Sequence, residues 1–538
     1  MRPNGMCPIC YLRRLFLPAK PFVDTCHLPP IDNGAPRTPI MGWSSWNTFR
    51  NRIDADLILD TADAMLRTGL YEAGYRYVNL DDNWHSSLRD AEGRIVADPA
   101  KFPQGMAALI DALNAKGFKA GLYSSNGTLT CEDLPASLHR EGLDARTFAG
   151  YGVEYLKYDY CHHEIISRYA PLVYGVELSR EGMAPVFYDC AEATLSGMAR
   201  RMHDAKVPTG VHVAGLDRNQ GAMRYEIEAP EAGQYTLTIC VRKRGSRYRK
   251  ALAAIINDVD VVLYDVPPQK HFNYTARFQQ RVTLAAGRNE IRLFNPIART
   301  SDSAFLQYYL MGKELAAAAR EREGDFRPIV YSICEWGWNK PHLWGALAGN
   351  MWRTTPDIRP IFPWIKWIYG HNVKLYRYAH AGAFNDPDML EVGNGRLTHN
   401  QNVAHFSLWC MMSAPLVLGN DLRHITQDVL RIVTNRHMIA IDQDPLCRPA
   451  KRMRRGTVDV LARPLADGSV AVCLFNRAHS TKRVRVDLDA IFRDPYVDVA
   501  VPASYTLHDV WQDNEFTSSS RLETTVDAEG VNVYLVRG

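Results

Sequence analysis

The sequence lacks several features that would assign it directly to a class of protein. No apolar run approaches 18 residues, so no membrane-spanning helix is predicted. Neither sign of charge is in clear excess, because 63 Lys and Arg face 59 Asp and Glu, and the net charge of +4 gives no basis for a nucleic-acid partner. Internal repeats and low-complexity tracts are absent, so a repeat architecture is not predicted. The chain has 538 residues of ordinary globular composition, enough for about three or four domains.

The N-terminal segment, residues 1–35, is irregular and contains no readable signal peptide. Its apolar run at 15–17 is stopped by Pro18 and is too short for the core of such a signal. Cys7 and Cys10 have C-x-x-C spacing, but no second C-x-x-C or matching His pair completes a zinc site. We interpret the spacing as chance, with a metal or redox site as the alternative.

Predicted strands and helices alternate from Pro39 to about Asn420, with one interruption. Eight such alternations predict a (β/α)₈ barrel, built from residues 36–184 and 314–444. The predicted strands are Pro39–Trp43, Tyr77–Leu80, Lys119–Tyr123, Glu154–Tyr158, Ile329–Cys334, Asn350–Arg353, Gly382–Asn385 and Ala414–Leu418.

The interruption, residues 185–313, has a different pattern. Short runs such as Met223–Glu228 and Gln234–Val241 alternate apolar and polar residues and are separated by turn residues. This spacing predicts an antiparallel β-sandwich inserted into a loop of the barrel. Alternating runs return after the barrel, and residues 445–538 are predicted to form a second, C-terminal β-sandwich.

Acidic residues follow the predicted barrel strands, at the end of the sheet where barrel enzymes keep their chemistry. The fourth strand ends in Lys157 and Asp159, which point to the same face because they are two residues apart. We expect Lys157 to favour the ionised form of Asp159, the state that a glycosidase nucleophile requires. A plain structural ion pair is the alternative.

Two other strand ends carry carboxylates. Asp81 and Asp82 are adjacent, so their repulsion requires ligand hydroxyl groups or a cation; a helix cap beside a surface acid is the alternative. Arg353 and Asp357 are four residues apart, and Pro356 prevents a regular helix between them. We therefore expect Asp357 on a loop above the pocket, as a general acid or as the cap of the next helix.

The remaining strand ends are less specific by themselves. Trp46 follows the first strand and suits the apolar face of a sugar, although buried packing is equally compatible. Asp386 and Asp388 flank Pro387, and turn chemistry is an adequate alternative explanation for both. Carboxylates at several strand ends of one barrel together predict glycoside hydrolysis, which needs a carboxylate pair.

Six motifs in this order, G-W-S-S-W-N, L-D-D-N-W, Y-L-K-Y-D-Y-C, C-E-W-G, W-R-x-x-x-D and N-D-P-D-M-L, resemble those of one known family. They are similar to the retaining α-galactosidases and α-N-acetylgalactosaminidases of glycoside hydrolase family 27. The resemblance implies a (β/α)₈ barrel followed by an antiparallel β-domain. It also implies that Asp159 is the nucleophile, that Asp357 is the acid/base, and that catalysis needs no metal or cofactor.

The resemblance also implies a galactose pocket and a disulfide at its rim, between Cys131 and Cys161. Asn83 stands where many family members have another cysteine, so a second frequent disulfide is expected to be absent. The residues implied to contact the sugar are Trp46, Asp81, Asp82, Tyr123, Lys157, Cys334, Trp336, Arg353 and Met389.

These residues favour galactose as the sugar. Asp81 and Asp82 suit its O4 and O6, and Cys334 and the bulky Trp336 leave little room for the acetamide of N-acetylgalactosamine. An α-N-acetylgalactosaminidase, a β-L-arabinopyranosidase and a catalytically silent carbohydrate-binding protein remain as alternatives. Oligosaccharides, polysaccharides and glycoconjugates with α-galactosyl ends all remain open as partners, and so does the oligomeric state.

The insert resembles carbohydrate-binding modules of family 6 or 35, in which Glu192 matches a position where a calcium ligand is common. A purely structural domain is the alternative. A disulfide and a sugar-binding insert favour an extracytoplasmic location, whereas the lack of a readable signal peptide argues against one.

Overall fold

The structure, a computed structural model, describes residues 28–243, 248–268, 274–322 and 326–538. Cys7 and Cys10, and most of the predicted irregular segment 1–35, lie outside these residues. The described chain divides into two compact units. The first comprises Pro30–His163 and Tyr308–Gly538, and the second comprises Glu164–Gln307 with residues 28–29.

Eight parallel strands form the central sheet of the first unit. They are β1 (Met41–Ser44), β2 (Tyr77–Asn79), β3 (Lys119–Ser125), β4 (Tyr155–Asp159), β5 (Val330–Ile333), β6 (Met351–Arg353), β7 (Phe384–Asp386) and β8 (Leu416–Leu418). Their order is β7-β6-β5-β4-β3-β2-β1-β8, and a bridge from Leu390, just after β7, to Leu418 closes the ring. The predicted (β/α)₈ barrel is confirmed. Its strands are buried almost throughout, as parallel strands covered on both faces are.

Helices and short turns connect these strands. The helix Ala55–Arg67 begins after Asp54, whose side chain accepts a hydrogen bond from the N–H of Leu57 at 2.8 Å. The helices are Trp46–Phe49, Ala55–Arg67, Gly105–Ala115, Glu141–Tyr151, Thr300–Arg320, Gly345–Ala348, Phe362–Asn372, His399–Met411, Gln427–Val433 and Arg436–Asp442, with 3₁₀ turns at Pro341–Leu343, Val373–Leu375 and Leu422–His424.

The second unit contains two six-stranded sheets around a shared apolar core. The residues of the strand Gly221–Ala229 alternate between buried and solvent-facing positions. This alternation explains the alternating apolar and polar residues in the sequence of the insert. One sheet contains Leu172–Arg180, Met183–Asp189, Arg200–His203, Val211–Ala214, Gly233–Lys243 and Tyr274–Leu284; the other contains Ile166–Ser167, Thr194–Gly197, Gly221–Ala229, Arg249–Ile256, Asp260–Val266 and Gly287–Phe294.

The bounds of this unit differ from the predicted insert, 185–313. Its strands begin at Ile166, before the predicted start at residue 185. The prediction missed the strand Leu172–Arg180 because this strand is largely buried and lacks the clean alternation that marks a sandwich strand. Its end at Gln307 falls inside the helix Thr300–Arg320, which continues into the barrel unit. All pairings are antiparallel except that of the short strand Ile166–Ser167.

The C-terminal part of the first unit is antiparallel, as predicted. It has a six-stranded sheet, a two-stranded sheet and the short helix Leu488–Phe492, packed around one apolar cluster. The strands are Lys451–Arg454, Val458–Pro464, Val470–Asn476, Lys482–Asp487, Tyr505–Asp509, Asn514–Ser518, Arg521–Val526 and Val531–Arg537. Among the described residues, no helix has the length and apolar character needed to cross a membrane.

Candidate active site

Asp159 ends β4 and lines a pocket at the carboxyl ends of the barrel strands. It is 5% exposed, and both its oxygens accept hydrogen bonds. The hydroxyl of Tyr123 donates to Oδ2 at 3.1 Å, and the N–H of Tyr160 donates to Oδ1 at 2.8 Å. Burial raises the pKa of Asp159 to about 6, and the Lys157 ammonium opposes that rise without cancelling it. Lys157 therefore favours the ionised form of Asp159, as expected, but burial has the larger effect on this pKa.

Lys157 forms its ion pair with Asp81 rather than with Asp159. The distance between Lys157 Nζ and Asp81 Oδ2 is 2.8 Å, and both side chains are largely buried. The two residues come from β4 and the end of β2, and β3 lies between these strands in the sheet. The pair therefore spans the width of β3 and forms a charged wall on one side of the pocket. Its ammonium group also lies 5.3 Å from the centre of the Tyr123 ring.

Asp82 is almost fully buried beside Asp81. Its oxygens accept hydrogen bonds from the N–H of Asn83 at 2.7 Å and from the N–H of Glu132 at 3.0 Å. Burial, and then the charge of Asp81, raise the pKa of Asp82 to about 7. The repulsion between adjacent carboxylates is thus relieved by protonation of one of them, and near neutral pH Asp82 can both donate and accept a hydrogen bond.

Arg353, at the end of β6, holds two carboxylates with one guanidinium group. Its Nη2 lies 2.7 Å from Asp388 Oδ2 and 3.1 Å from Asp357 Oδ1. Asp388 is buried, whereas the side chain of Asp357 is 58% exposed on the predicted loop. Desolvation in the pocket raises the pKa of Asp357, but Arg353 and then Lys157 outweigh this effect, and the net pKa is lowered.

Aromatic and sulfur-containing side chains complete the pocket. Trp336 has a left-handed backbone, with φ of 57°, and its ring packs edge-on against Trp338 at 5.0 Å. Cys334, a predicted sugar contact, is fully buried and is not among the residues that line the pocket; its Sγ lies 3.7 Å from Nη1 of Arg353. The pocket encloses about 390 Å³ including its open mouth. It is lined by Trp46, Asn47, Asp81, Asp82, Tyr123, Cys131, Lys157, Asp159, Trp336, Arg353, Asp357, Asp388 and Met389.

The predicted disulfide between Cys131 and Cys161 is formed, with 5.2 Å between the two Cα atoms. It joins the loop after β3 to the second residue after the end of β4. The hydroxyl of Tyr123 lies 3.3 Å from Cys131 Sγ, so the bond also borders the residue that donates to Asp159. Asn83, where the family often has a cysteine, is held instead through its backbone oxygen by Lys101 Nζ at 2.9 Å.

Sequence reasoning missed three residues of this site. Asp388, for which turn chemistry is the alternative interpretation, pairs with Arg353 and has a left-handed backbone, with φ of 85°. Asn47 lines the pocket and donates to Glu391 Oε1 at 2.8 Å. Glu391 is buried, and burial raises its pKa to about 7. A strand-end D-x-D was the available signal for Asp388, whereas nothing in the local sequence links Asn47 to Glu391.

Comparison with known proteins places this site in a family. The model described as Alpha galactosidase A matches residues 38–208 and 302–444, and the model described as Alpha galactosidase C-terminal beta sandwich domain matches residues 455–536. The chain belongs to this α-galactosidase family. It is accordingly a glycoside hydrolase, and the resemblance read from the six motifs is confirmed. These two models leave residues 209–301 uncovered, and the carbohydrate-binding-module resemblance of the insert stays a prediction.

Individual proteins named as α-galactosidases are similar to this chain over most of its length. Alpha-galactosidase 3 of Arabidopsis thaliana is 30% identical over 94% of this chain and 83% of its own length. Alpha-galactosidase of Cyamopsis tetragonoloba is 29% identical over 94% of this chain and 87% of its own. The crystal structure of alpha-galactosidase I from Mortierella vinacea superposes with a TM-score of 0.65, at 25% identity, and covers 94% of this chain and 98% of that one.

Proposed function

We propose that this protein is a retaining exo-glycosidase that removes terminal α-D-galactosyl residues, with Asp159 as nucleophile and Asp357 as acid/base. The observation that carries the proposal is that these two carboxylates line one pocket whose other polar groups suit a sugar. The family relationship supports the substrate, since the similar proteins of Arabidopsis and Cyamopsis are named α-galactosidases.

In the first step, an oxygen of Asp159 attacks the anomeric carbon and the glycosidic bond breaks. The proton of Asp357 passes to the leaving oxygen, and a covalent galactosyl ester on Asp159 results. The hydrogen bonds from Tyr123 and the N–H of Tyr160 fix the attacking carboxylate in position. Because Asp159 ends a buried strand, it is held rigidly while the sugar moves toward it.

In the second step, Asp357 takes a proton from water, which attacks the same carbon from the face that the leaving group vacated. The ester breaks, Asp159 is released as a carboxylate, and galactose leaves with retained configuration. A retaining mechanism of this kind requires carboxyl groups that are ~5–5.5 Å apart. The exposure of Asp357 suits this step, because the water must reach it from solvent.

Asp357 must change its protonation state when substrate binds. Arg353 donates a hydrogen bond to Oδ1 of Asp357, so we assign the proton that is donated to Oδ2. In the free protein the pKa of Asp357 is low, so the acid must gain its proton as substrate binds. A sugar that excludes water from the ionised Asp159 raises the pKa of Asp357 through the charge of that neighbour.

The charged wall explains the choice of galactose. Asp81, paired with Lys157, accepts hydrogen bonds from sugar hydroxyl groups, and the half-protonated Asp82 can donate as well. We assign these two residues to the axial O4 and to O6. Trp336 is assigned to the 2-position, where its indole leaves no room for an acetamide.

Hydrolysis of three aryl glycosides tests this assignment. The α-D-galactopyranoside, the α-N-acetylgalactosaminide and the β-L-arabinopyranoside are compared at equal concentration, and the galactoside is expected to be cleaved fastest. Preference for the N-acetylgalactosaminide would contradict the role of Trp336, and preference for the arabinoside would contradict that of Asp82. No turnover of any of them, together with tight galactose binding, would favour the silent binding protein.

The insert is proposed to bind carbohydrate as a second site, on the basis of its sandwich fold and of its sequence resemblance alone. A calcium role for Glu192 has less support. Its Oε1 accepts the N–H of Asp189 at 2.6 Å, and within the described parts of the chain no cluster of three ligand side chains includes it. The six to eight oxygens that Ca²⁺ takes are therefore not assembled by carboxylates here, and no function is derived from the ion.

A further inference from the structure

A second cluster of ionisable side chains lies in the first unit and shares no residue with the sugar pocket. His437 belongs to the helix Arg436–Asp442, His508 to the strand Tyr505–Asp509, and Asp513 to the turn that follows this strand. One nitrogen or oxygen from each lies within 4.8 Å of the others. The cluster therefore joins a barrel helix to the C-terminal β-domain.

The two distances from Asp513 to the histidines are close to those between ligands of one metal ion. Asp513 Oδ1 lies 3.4 Å from Nε2 of His508 and 3.6 Å from Nε2 of His437. Zinc bonds of ~2.0–2.1 Å in a tetrahedron place donor atoms ~3.3–3.4 Å apart. Nε2 of His508 is also buried, and its approach to Asp513 Oδ1 does not have the geometry of a hydrogen bond. A native structure normally satisfies a buried polar atom of this kind with water or an ion.

Neighbouring groups hold the ligands in place. Oδ1 of Asn435 accepts the N–H of His437 at 3.1 Å, and its Nδ2 donates to the carbonyl oxygen of Val510 at 3.3 Å, which anchors the helix start to the β-domain. Glu515 Oε1 lies 3.9 Å from Nδ1 of His508, the nitrogen that would not bind the metal. Metal-bound histidines commonly have a carboxylate on that side.

The guanidinium group of Arg436 contacts two of the three proposed ligands. Nε of Arg436 donates to Nε2 of His437 at 3.1 Å, and Nη2 lies 3.9 Å from Asp513 Oδ2. The side chain of Arg436 is 78% exposed, so it can turn into solvent at little energetic cost. The guanidinium therefore stands where a cation is favoured and would compete with a metal for the same ligands.

We propose that His437, His508 and Asp513 bind a Zn²⁺ ion with water as the fourth ligand. Two imidazoles and one carboxylate are a borderline-soft set that suits zinc rather than Ca²⁺ or Mg²⁺. The ion ties the barrel helix to the C-terminal domain and stabilises the folded protein, because the unfolded chain does not hold these ligands together. It has no part in sugar cleavage.

The test uses the full-length chain with Cys7→Ser and Cys10→Ser, since thiolates bind zinc strongly. The metal-free protein is titrated with ZnCl₂ by calorimetry and with CoCl₂ by visible absorption. We expect one equivalent to bind, a Co²⁺ spectrum of tetrahedral type, and a rise in Tm of about 2–5 °C at saturating zinc.

Variants separate this site from chance surface binding. His437→Gln with His508→Gln should remove the bound equivalent and the Tm shift, and Arg436→Ala should strengthen binding several-fold by removing the competing cation. His399→Gln is the matched control, because His399 forms an exposed pair with Asp428 at 2.9 Å but has no second histidine in its cluster. Equal zinc binding by the parent chain and the double variant would overturn the proposal.

Discussion

Asp159 and Asp357 occupy opposite settings in the same pocket. Asp159 ends a buried strand, accepts two hydrogen bonds and is 5% exposed. Asp357 lies on a loop, touches Arg353 through one oxygen and has a side chain that is 58% exposed. Burial raises the pKa of the first, whereas nearby cations lower the pKa of the second.

The difference matches the work proposed for each group. A nucleophile must be held at a fixed point, because a small displacement from the anomeric carbon costs a large factor in rate. An acid/base must exchange protons with a leaving group and then with water, so it needs access to solvent. The fold supplies the first through a strand and the second through a loop that Pro356 keeps from becoming helical.

The largest expected effect comes from exchanging the two carboxylates for neutral groups. Asp159→Asn should lower kcat on the order of 10⁴-fold or more for every substrate, because no other group can form the ester. Asp357→Ala should cost ~10²–10⁴-fold on substrates with poor leaving groups and much less on aryl substrates that need little protonation. Steady-state kinetics across a series of aryl leaving groups measures both. Equal dependence on the leaving group in the two variants would contradict the assignment.

Lys157→Met tests whether the charged wall matters to chemistry. The change leaves Asp81 buried without its ion partner, so we expect a loss of kcat/KM on the order of 10²-fold. Lys119→Met is the matched control, because Lys119 pairs with Glu154 at 2.8 Å at the opposite end of the barrel. Similar losses in both variants would show that Lys157 acts only through stability.

Loss of the disulfide should reduce stability without abolishing the site. Cys131 and Cys161 are 30 residues apart, and closing a loop of that length stabilises a protein by about 3.6 kcal/mol. We expect Cys131→Ser with Cys161→Ser to lower the unfolding midpoint in denaturant. Reductant should shift the parent protein in the same way and leave the double variant unchanged. A shift of the double variant by reductant would assign the effect to other cysteines.

Acidification from pH 7.5 to 5.5 should stabilise the folded protein through Asp82. Its folded pKa of about 7 lies above the unfolded value, so the folded state binds more protons between roughly pH 4 and 7, and stability falls as pH rises through that window. We expect a contribution on the order of 1–2 kcal/mol, measured as the difference between the parent and Asp82→Asn in thermal unfolding at each pH. A steeper pH dependence in the variant would contradict the assignment.

The barrel was predictable from sequence because its strands leave a strong local pattern. β4 is a short apolar run that ends in charge, and the strand bounds Tyr155–Asp159 differ from the prediction by one residue at each end. The strands of the β-sandwich unit were harder to predict from sequence. Met183–Asp189 and Arg200–His203 are mostly solvent-facing, so they show no alternation between buried and exposed residues. Such edge strands are specified by their pairing partners rather than by their own composition.

The residues of the site were predictable from sequence, but the ion pairs that they form with one another were not. Local sequence placed Lys157 beside Asp159, yet the ammonium pairs with Asp81, 76 positions earlier in the chain. The same holds for Arg353 and Asp388, whose pairing depends on how the loops after β6 and β7 meet. Long-range partners of this kind follow from the closed barrel and leave no signal in sequence spacing.

The role of Asp159 as nucleophile is tested by identifying the residue that carries the covalent intermediate. The protein is incubated with a 2-fluorinated galactosyl fluoride, which forms the ester faster than water can hydrolyse it, and is then digested for peptide mass spectrometry. We expect one galactosyl adduct, on Asp159 in the peptide that contains Tyr155–Tyr160. An adduct on Asp357 or on another carboxylate, or the absence of any adduct together with a product of inverted configuration, would contradict it.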